Sequence, residues 1–315
     1  MPCATIHMLT AGRVLDAWCD RAGHAPFPVD AEELRDAFLL GAMGPDMGFV
    51  PGVDRFVSEL SHYVSTGDLT RTLLDRAATP RQEAFAWGWA THHVTDVEIH
   101  PLVGRACGER LRGDRELRLN SSDDLPTHVG IEVGLDLHFL RSDPRIPRPP
   151  TRPLLDPVEL GFLVDALEET YGLEWERPTI ARDYRIAVRQ TARWPRVITL
   201  LARARGFGRD GSGSDRLLPR LGRGVLDAAA YLAGASSAAA GLFRPLHPPG
   251  WVVERVRRVA EVFPERFQTL VQDRLRSIEN RNLETGLLEG EPVDHPDSER
   301  TFRRLRALHE DGGRP

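Results

Sequence analysis

The sequence predicts an all-α protein. Apolar residues in most long segments recur at helical rather than alternating spacing, β-branched runs are few, and proline- and glycine-rich stretches separate the segments. With 315 residues, 41% of them hydrophobic and 28% charged, the chain is large enough for one big globular domain or two ordinary ones. The expected division is a helical core over residues 1–145 and a helical extension over 146–290, packed on the core and forming a pocket wall. A polar, poorly ordered tail is expected over 291–315.

Composition narrows the function classes. A formal charge of −5 disfavours a general nucleic-acid binder, which needs a strongly basic face. All 41 basic residues are arginine, which reads as a high-GC coding bias. The start "MPCATIHMLTAG" lacks the basic-then-apolar order of a secretory signal, so a cytoplasmic location is expected. Cys3, Cys19 and Cys107 are few, odd in number and scattered, as in reduced thiols. One stretch, "VLDAAAYLAGASSAAAGLF", is long enough to span a membrane. It is alanine-rich and carries Asp227, so a close-packed helix is expected there and no transmembrane segment anywhere.

Taken in order, "PRQEAFAWGWATHHVTDVEI" predicts a helix entered through Pro80. It should stop at His100, because a residue before proline is pushed out of the α region. "THVGIEVGLDLHFL" predicts a second helix with Thr127 as its cap. "SDPRIPRPPTRPLLDP" is a connector, and "GFGRDGSGSD" and "RPLHPPG" are loops. The last long helical pattern runs over "WVVERVRRVAEVFPERFQTLVQDRLRSIENRNL". No internal repeat is visible.

Chemistry concentrates before residue 140. His92, Asp96 and His100 sit at i, i+4 and i+8, which makes one stripe on a helix. Phe85, Trp89 and Ile99 share that side, whereas Thr91, Thr95 and Glu98 mark the expected solvent face. His128, Glu132 and Asp136 repeat the pattern on the next helix, beside Leu135 and Phe139. Gly130, Gly134 and His138 are left for a thin outer or close-packed face. Buried imidazoles and carboxylates are costly unless paired or coordinated. One such stripe reads as a structural His–Asp network. Two facing stripes favour bound metal, and imidazole with carboxylate suits zinc and equally iron or manganese. Three further candidates read as structural when taken singly. Asp46 stands in the turn "GAMGPDMGFVPG", His62 in "ELSHYVSTGDL", and His7 in "ATIHMLTAG".

Together these pieces resemble the zinc-dependent phospholipase C family, whose all-α fold is shared with single-strand-specific zinc nucleases. The matching elements come in the family's order: "TIHM", the "GPD" loop, "SHY" with "TGDL", "GWATHHVTDVEIHPLVG" and "HVGIE". They cover roughly residues 4 to 140, with a weak return at "NRNLETG". The resemblance implies a multi-helix fold of that type with a helical C-terminal extension. It implies one cation on Asp46, His62, His92 and Asp96, and a second on His100, His128 and Glu132. A third would be shared by Asp96 and His7. In secreted relatives an N-terminal tryptophan completes that third site, but Met1 and Pro2 stand here. The site is then either completed by waters or empty. His93, at the stripe's edge, and Asp136, orienting a ligand histidine, are expected to support the ligands from behind. His24, His247, His295 and His309 read as surface residues.

The activity implied is hydrolysis of a phosphate ester, with a lipid or small-molecule phosphoester as substrate. Roughly two to three zinc ions would lower the pKa of a bound water from about 16 to about 7 and give hydroxide. Asp46 would take the proton from the attacking water. The alternative is an intracellular lyase, cyclase or dehydratase using the same site as a Lewis acid on a non-phosphate metabolite. An oxidative di-iron protein is disfavoured, since that class places Glu and His at i, i+3.

Overall fold

A computed structural model describes residues 4–204, 244–291 and 296–315. The alanine-rich stretch, the "GFGRDGSGSD" loop, Cys3 and His295 lie outside the described residues. Ten α-helices and no strand occur among those described, in keeping with the all-α expectation. They are α1 (Ala4–Asp20), α2 (Glu32–Gly41), α3 (Phe56–Tyr63), α4 (Thr66–Arg76), α5 (Pro80–Arg112), α6 (Leu125–Ser142), α7 (Gly161–Tyr171), α8 (Arg177–Ala204), α9 (Gly250–Gln272) and α10 (Pro296–Glu310). A short 3-10 turn, Pro45–Phe49, precedes α3. None of the described helices is long and apolar enough to cross a membrane.

Helix α5 is the axis, with α1, α2, α4, α6 and α9 packed around it. It starts as expected: Thr79 and Gln82 form a reciprocal capping box ahead of Pro80. It does not stop at His100 but runs through Pro101 for 33 residues, about 50 Å. Pro101 removes the donor for the Val97 carbonyl. A later turn packs there instead, so close that a Cβ at Gly286 would lie 2.8 Å from that oxygen. Beyond the proline, Val103, Ala106 and Cys107 are buried against Ile131, Leu135 and Phe139 of α6 and Val252 and Val256 of α9. That burial holds the helix together where its local preference would break it.

The expected solvent face of α5 is a correction too. Thr91 and Thr95 are buried, because neighbours surround the helix. Thr91 donates to the Gly88 carbonyl, and Thr95 pairs with Thr10 of α1 at 2.8 Å. Helix α2 crosses α5 through glycine. A Cβ at Gly88 would meet the Phe38 carbonyl oxygen at 1.9 Å, and one at Gly41 the Phe85 oxygen at 2.0 Å. Apolar packing thus flanks α5 twice: Phe85, Trp87 and Trp89 belong to one cluster, and Ile99 to Cys107 to another. The polar residues 92–100 lie between the two.

Three more boundaries differ from expectation. Asp124, not Thr127, caps α6, accepting from the Thr127 N–H at 2.8 Å. A carboxylate three residues before the expected cap does the same job. Helix α9 ends at Gln272, where Leu275 donates back to Leu270 at 2.8 Å and buries itself completely. In place of a disordered tail, residues 296–310 form α10. Thr301 is buried there, and the Arg304 guanidinium lies 4.0 Å from the centre of the Phe56 ring. A helix docked by one narrow face is polar elsewhere, and that polarity reads as disorder. The glycines of α6 do form a close-packed face: a Cβ at Gly134 would fall 1.8 Å from the Leu246 oxygen.

Candidate metal centre

The i, i+4, i+8 spacing on α5 turns His92, Asp96 and His100 to one side, and both flanking clusters keep water away. Asp96 is 1% exposed and His92 not at all. Around the Asp96 carboxylate stand four imidazole Nε2 atoms. His92 lies at 3.0 Å, His7 of α1 at 3.3 Å, His62 of α3 at 3.4 Å and His100 at 3.8 Å. Asp46, buried on the 3-10 turn, approaches His62 Nε2 at 3.5 Å. The rings of His7 and His92 stack at 3.8 Å.

One turn further along α5 the pattern recurs. His100 Nε2 and His128 Nε2 both lie 3.3 Å from Glu132 Oε1. Behind His128, Glu284 reaches Nδ1 at 3.5 Å. Backbone carbonyls orient three of the rings. His62 Nδ1 donates to Ser58 at 2.7 Å, His92 Nδ1 to Ala42 at 2.9 Å and His100 Nδ1 to Leu283 at 2.9 Å. A ring that donates through Nδ1 keeps its Nε2 lone pair for a cation.

The charges are tightly interlocked. Burial opposes ionisation of Asp46 and Asp96, yet the surrounding histidines hold both well below the usual carboxylate range. Burial likewise works against Glu132, but His128 and His100 bring it to about 2. Burial would lower His62, but Asp46 and Asp96 raise it to about 9. Against the same penalty, Asp96, Glu132 and Glu284 raise His100 to about 10. His7 goes the other way, to about 3, through burial and the neighbouring His92. It is a neutral imidazole at pH 7.

This donor set fits bound cations. Asp96 Oδ2, in the middle of the imidazoles, is buried with no hydrogen-bond partner. Three trios have donor atoms within 4.8 Å of one another: His7, His92 and Asp96; Asp46, His62 and His92; and His100, His128 and Glu284. Imidazole nitrogen with carboxylate oxygen is the ligand chemistry of zinc. A family model described as zinc dependent phospholipase C matches residues 7–174, just over half of the chain. The chain belongs to the zinc-dependent phospholipase C family. No curated protein and no solved structure matches it.

Of the ten residues singled out in the sequence of this phospholipase C family member, His7, Asp46, His62, His92, Asp96, His100, His128 and Glu132 converge on the cluster. Two do not. His93 is buried with no hydrogen bond at Nδ1, and burial brings it to about 3. Residue 93 lies one step, about 100°, round α5 from the stripe. Asp136 orients no histidine. Its Oδ1 accepts from the Thr5 N–H at 3.0 Å and its Oδ2 from Trp194 Nε1 at 2.9 Å, so it anchors the first turn of the helix carrying His7. His24, His247 and His309 are exposed, as expected. Glu284 is the member of the cluster that sequence reasoning missed. Its one signal was "NRNLETG", which lies beyond the matched segment.

Proposed function

We propose that the chain is a metal-dependent hydrolase of phosphate esters, of phospholipase C or phosphatase type. The observation that carries this reading is Asp96, a buried carboxylate with four imidazole Nε2 atoms at 3.0–3.8 Å. Asp46, His62, His92 and Asp96 would hold one zinc, His100, His128 and Glu132 a second, and His7 with Asp96 a third. Bound there, zinc activates water and offsets phosphoryl charge.

The chain's own residues do the rest. Neutral His7 offers a lone pair and does not compete for protons. Carbonyls 42, 58 and 283 keep three Nε2 atoms pointed inward. Asp46 would take the proton of the attacking water at its carboxylate. Phe49, with its ring 5.0 Å from that of His62, walls the same side. The substrate class is a lipid or small-molecule phosphoester, since the acidic chain disfavours nucleic acid.

The test is protein purified without added metal or chelator, measured for zinc, iron and manganese. It is then assayed on a nitrophenyl phosphomonoester, a nitrophenyl phosphodiester and phosphatidylcholine vesicles. Roughly two to three zinc ions per chain are expected, with turnover lost on chelation and restored by zinc. A fully loaded protein that turns over none of the panel overturns the reading in favour of Lewis-acid chemistry on a non-phosphate substrate.

A further inference from the structure

We propose that Glu284 is a positioning residue of the metal centre. Its carboxylate holds His128 with the proton on Nδ1, so that Nε2 is the atom offered to a cation. The turn that carries Glu284 is the centre's outer wall. The inference rests on the metal reading above and deepens it.

His128 faces a carboxylate with each nitrogen: Glu132 at 3.3 Å from Nε2 and Glu284 at 3.5 Å from Nδ1. Only one side can be the cation side. Glu132 Oε1 is also 3.3 Å from His100 Nε2, so the Nε2 side of His128 is where two histidines and a carboxylate converge. His100 fixes its own orientation by giving its Nδ1 proton to a backbone carbonyl. No carbonyl serves His128 in this way, and its Nδ1 lacks a hydrogen bond. Glu284 stands in that place. It is 7% exposed and steadied by the Ser121 N–H, which donates to its Oε1 at 2.7 Å. A carboxylate behind a histidine sets the tautomer and raises the basicity of the coordinating nitrogen.

The sequence "NLETG" explains how this carboxylate arrives. Asn282 Oδ1 accepts from the N–H groups of Glu284 at 2.9 Å and Thr285 at 3.1 Å, closing an Asx turn. Gly286 has φ +73° and donates to the Asn282 carbonyl at 2.8 Å. It lies against the Val97 oxygen that Pro101 leaves without a helical donor. Leu283, between them, donates to the His62 carbonyl at 2.8 Å and accepts from His100 Nδ1. One residue therefore links both halves of the centre. The "TGDL" stretch docks the strand of chain leading in: Thr66 Oγ1 donates to the Arg281 carbonyl at 2.7 Å, and the Asp68 N–H donates to Asn280 at 2.8 Å. A Cβ at Gly67 would meet the Glu279 oxygen at 2.5 Å. Both docking surfaces belong to the matched segment, residues 7–174, whereas the turn lies outside it.

The experiment compares the wild type with Glu284→Gln and Glu284→Ala, all checked for fold by circular dichroism and melting. Zinc affinity is read by competition with a chromophoric chelator. The cobalt-substituted proteins give visible spectra, and histidine side-chain 15N shifts report the protonated nitrogen of His128. Expected for Glu284→Ala is a roughly 10–100-fold loss in affinity for one zinc only. A changed cobalt band and His128 nitrogens that no longer report a single Nδ1–H form should accompany it. Glu284→Gln, whose amide oxygen can still accept from Nδ1, should recover part of both. A folded Glu284→Ala with wild-type affinity and unchanged His128 shifts overturns the proposal. If that variant fails to fold, the near-isosteric Glu284→Gln decides by the same shifts and affinity. Equal loss in both variants with an intact His128 tautomer makes Glu284 a direct ligand, which also overturns it. A wild type that takes up no zinc sinks the metal reading itself, whereas a zinc-binding wild type with indifferent variants sinks this inference alone.

Discussion

Asp96 is surrounded by cationic or cation-seeking groups that a neutral side chain of the same shape could not satisfy. Asp96→Asn keeps the volume and removes the charge. It should cost at least one zinc per chain and lower phosphoester turnover by more than about 100-fold, beyond the usual cost of losing a supporting hydrogen bond. Elemental analysis beside the assay checks this, and unchanged zinc content would count against the assignment. Asp136 makes a different prediction. Burial pushes its carboxyl up to about 7 from 3.8, against the pull of Trp194 and Thr5. A folded-state value raised this way contributes stability below about pH 4 that is lost as pH rises through 7. On the order of 2–4 kcal/mol should disappear over that span. Asp136→Asn cannot titrate, so its stability deficit relative to wild type should shrink from pH 5 to pH 8 in urea melts. A constant deficit would refute the shift. At this scale the sequence was readable where spacing carried the information. His92, Asp96 and His100, like His128 and Glu132, share helical stripes. His7, Asp46, His62 and Glu284 have no such local signature, because what unites them is tertiary contact. The first three were found through the order of family motifs, and Glu284 was not found at all.

At the level of elements, helix existence was legible and helix ends were not. Periodicity marks an apolar face, but a stop depends on what packs beyond it. Pro101 should end α5, and it does not, because Val103, Ala106 and Cys107 beyond it are buried against α6 and α9. No glycine or proline announces the end of α9, yet Leu275 is fully buried only if the chain turns there. The buried threonines of α5 read as solvent-facing because the wheel does not reveal how many neighbours a helix has. The crossing of α2 and α5 also places the site. Gly88 lets α2 come close enough for the Ala42 carbonyl to hold His92 Nδ1 at 2.9 Å. A Cβ at Gly88 would meet backbone, the Phe38 oxygen at 1.9 Å and the Ala42 nitrogen at 2.8 Å, so neither neighbour can rotate away. Gly88→Ala should therefore destabilise the fold by about 1–3 kcal/mol or more and weaken zinc binding with it. A wild-type urea midpoint would show that the helices separate freely.

For the whole molecule, the apolar clusters on either side of α5 enclose a polar band that segments from both ends of the chain complete. Four carboxylates sit in it, Asp46, Asp96, Glu132 and Glu284, each held below its usual range despite burial. Without metal, protons on His62 and His100 offset part of that charge. Those histidines have values raised to about 9 and about 10, so the stability they add is complete below about pH 6.5 and lost as pH rises through 9 to 10. The carboxylates, with lowered values, add stability above about pH 4.5 that is lost in acid. A chelated protein should consequently be most stable in mildly acidic solution and weaken steadily in alkali. Zinc replaces those protons, so loading should release protons at pH 7 and become more favourable as pH rises. At zinc a thousandfold above its dissociation constant the gain is about 4 kcal/mol. The melting temperatures of zinc-loaded and chelated protein should therefore nearly coincide at pH 5 and separate progressively at pH 7 and pH 9. Calorimetric titration in buffers of different ionisation enthalpy should count the protons released. Equal melting points at all three pH values, or a gap that is widest in acid, would mean that cations do not hold this band together.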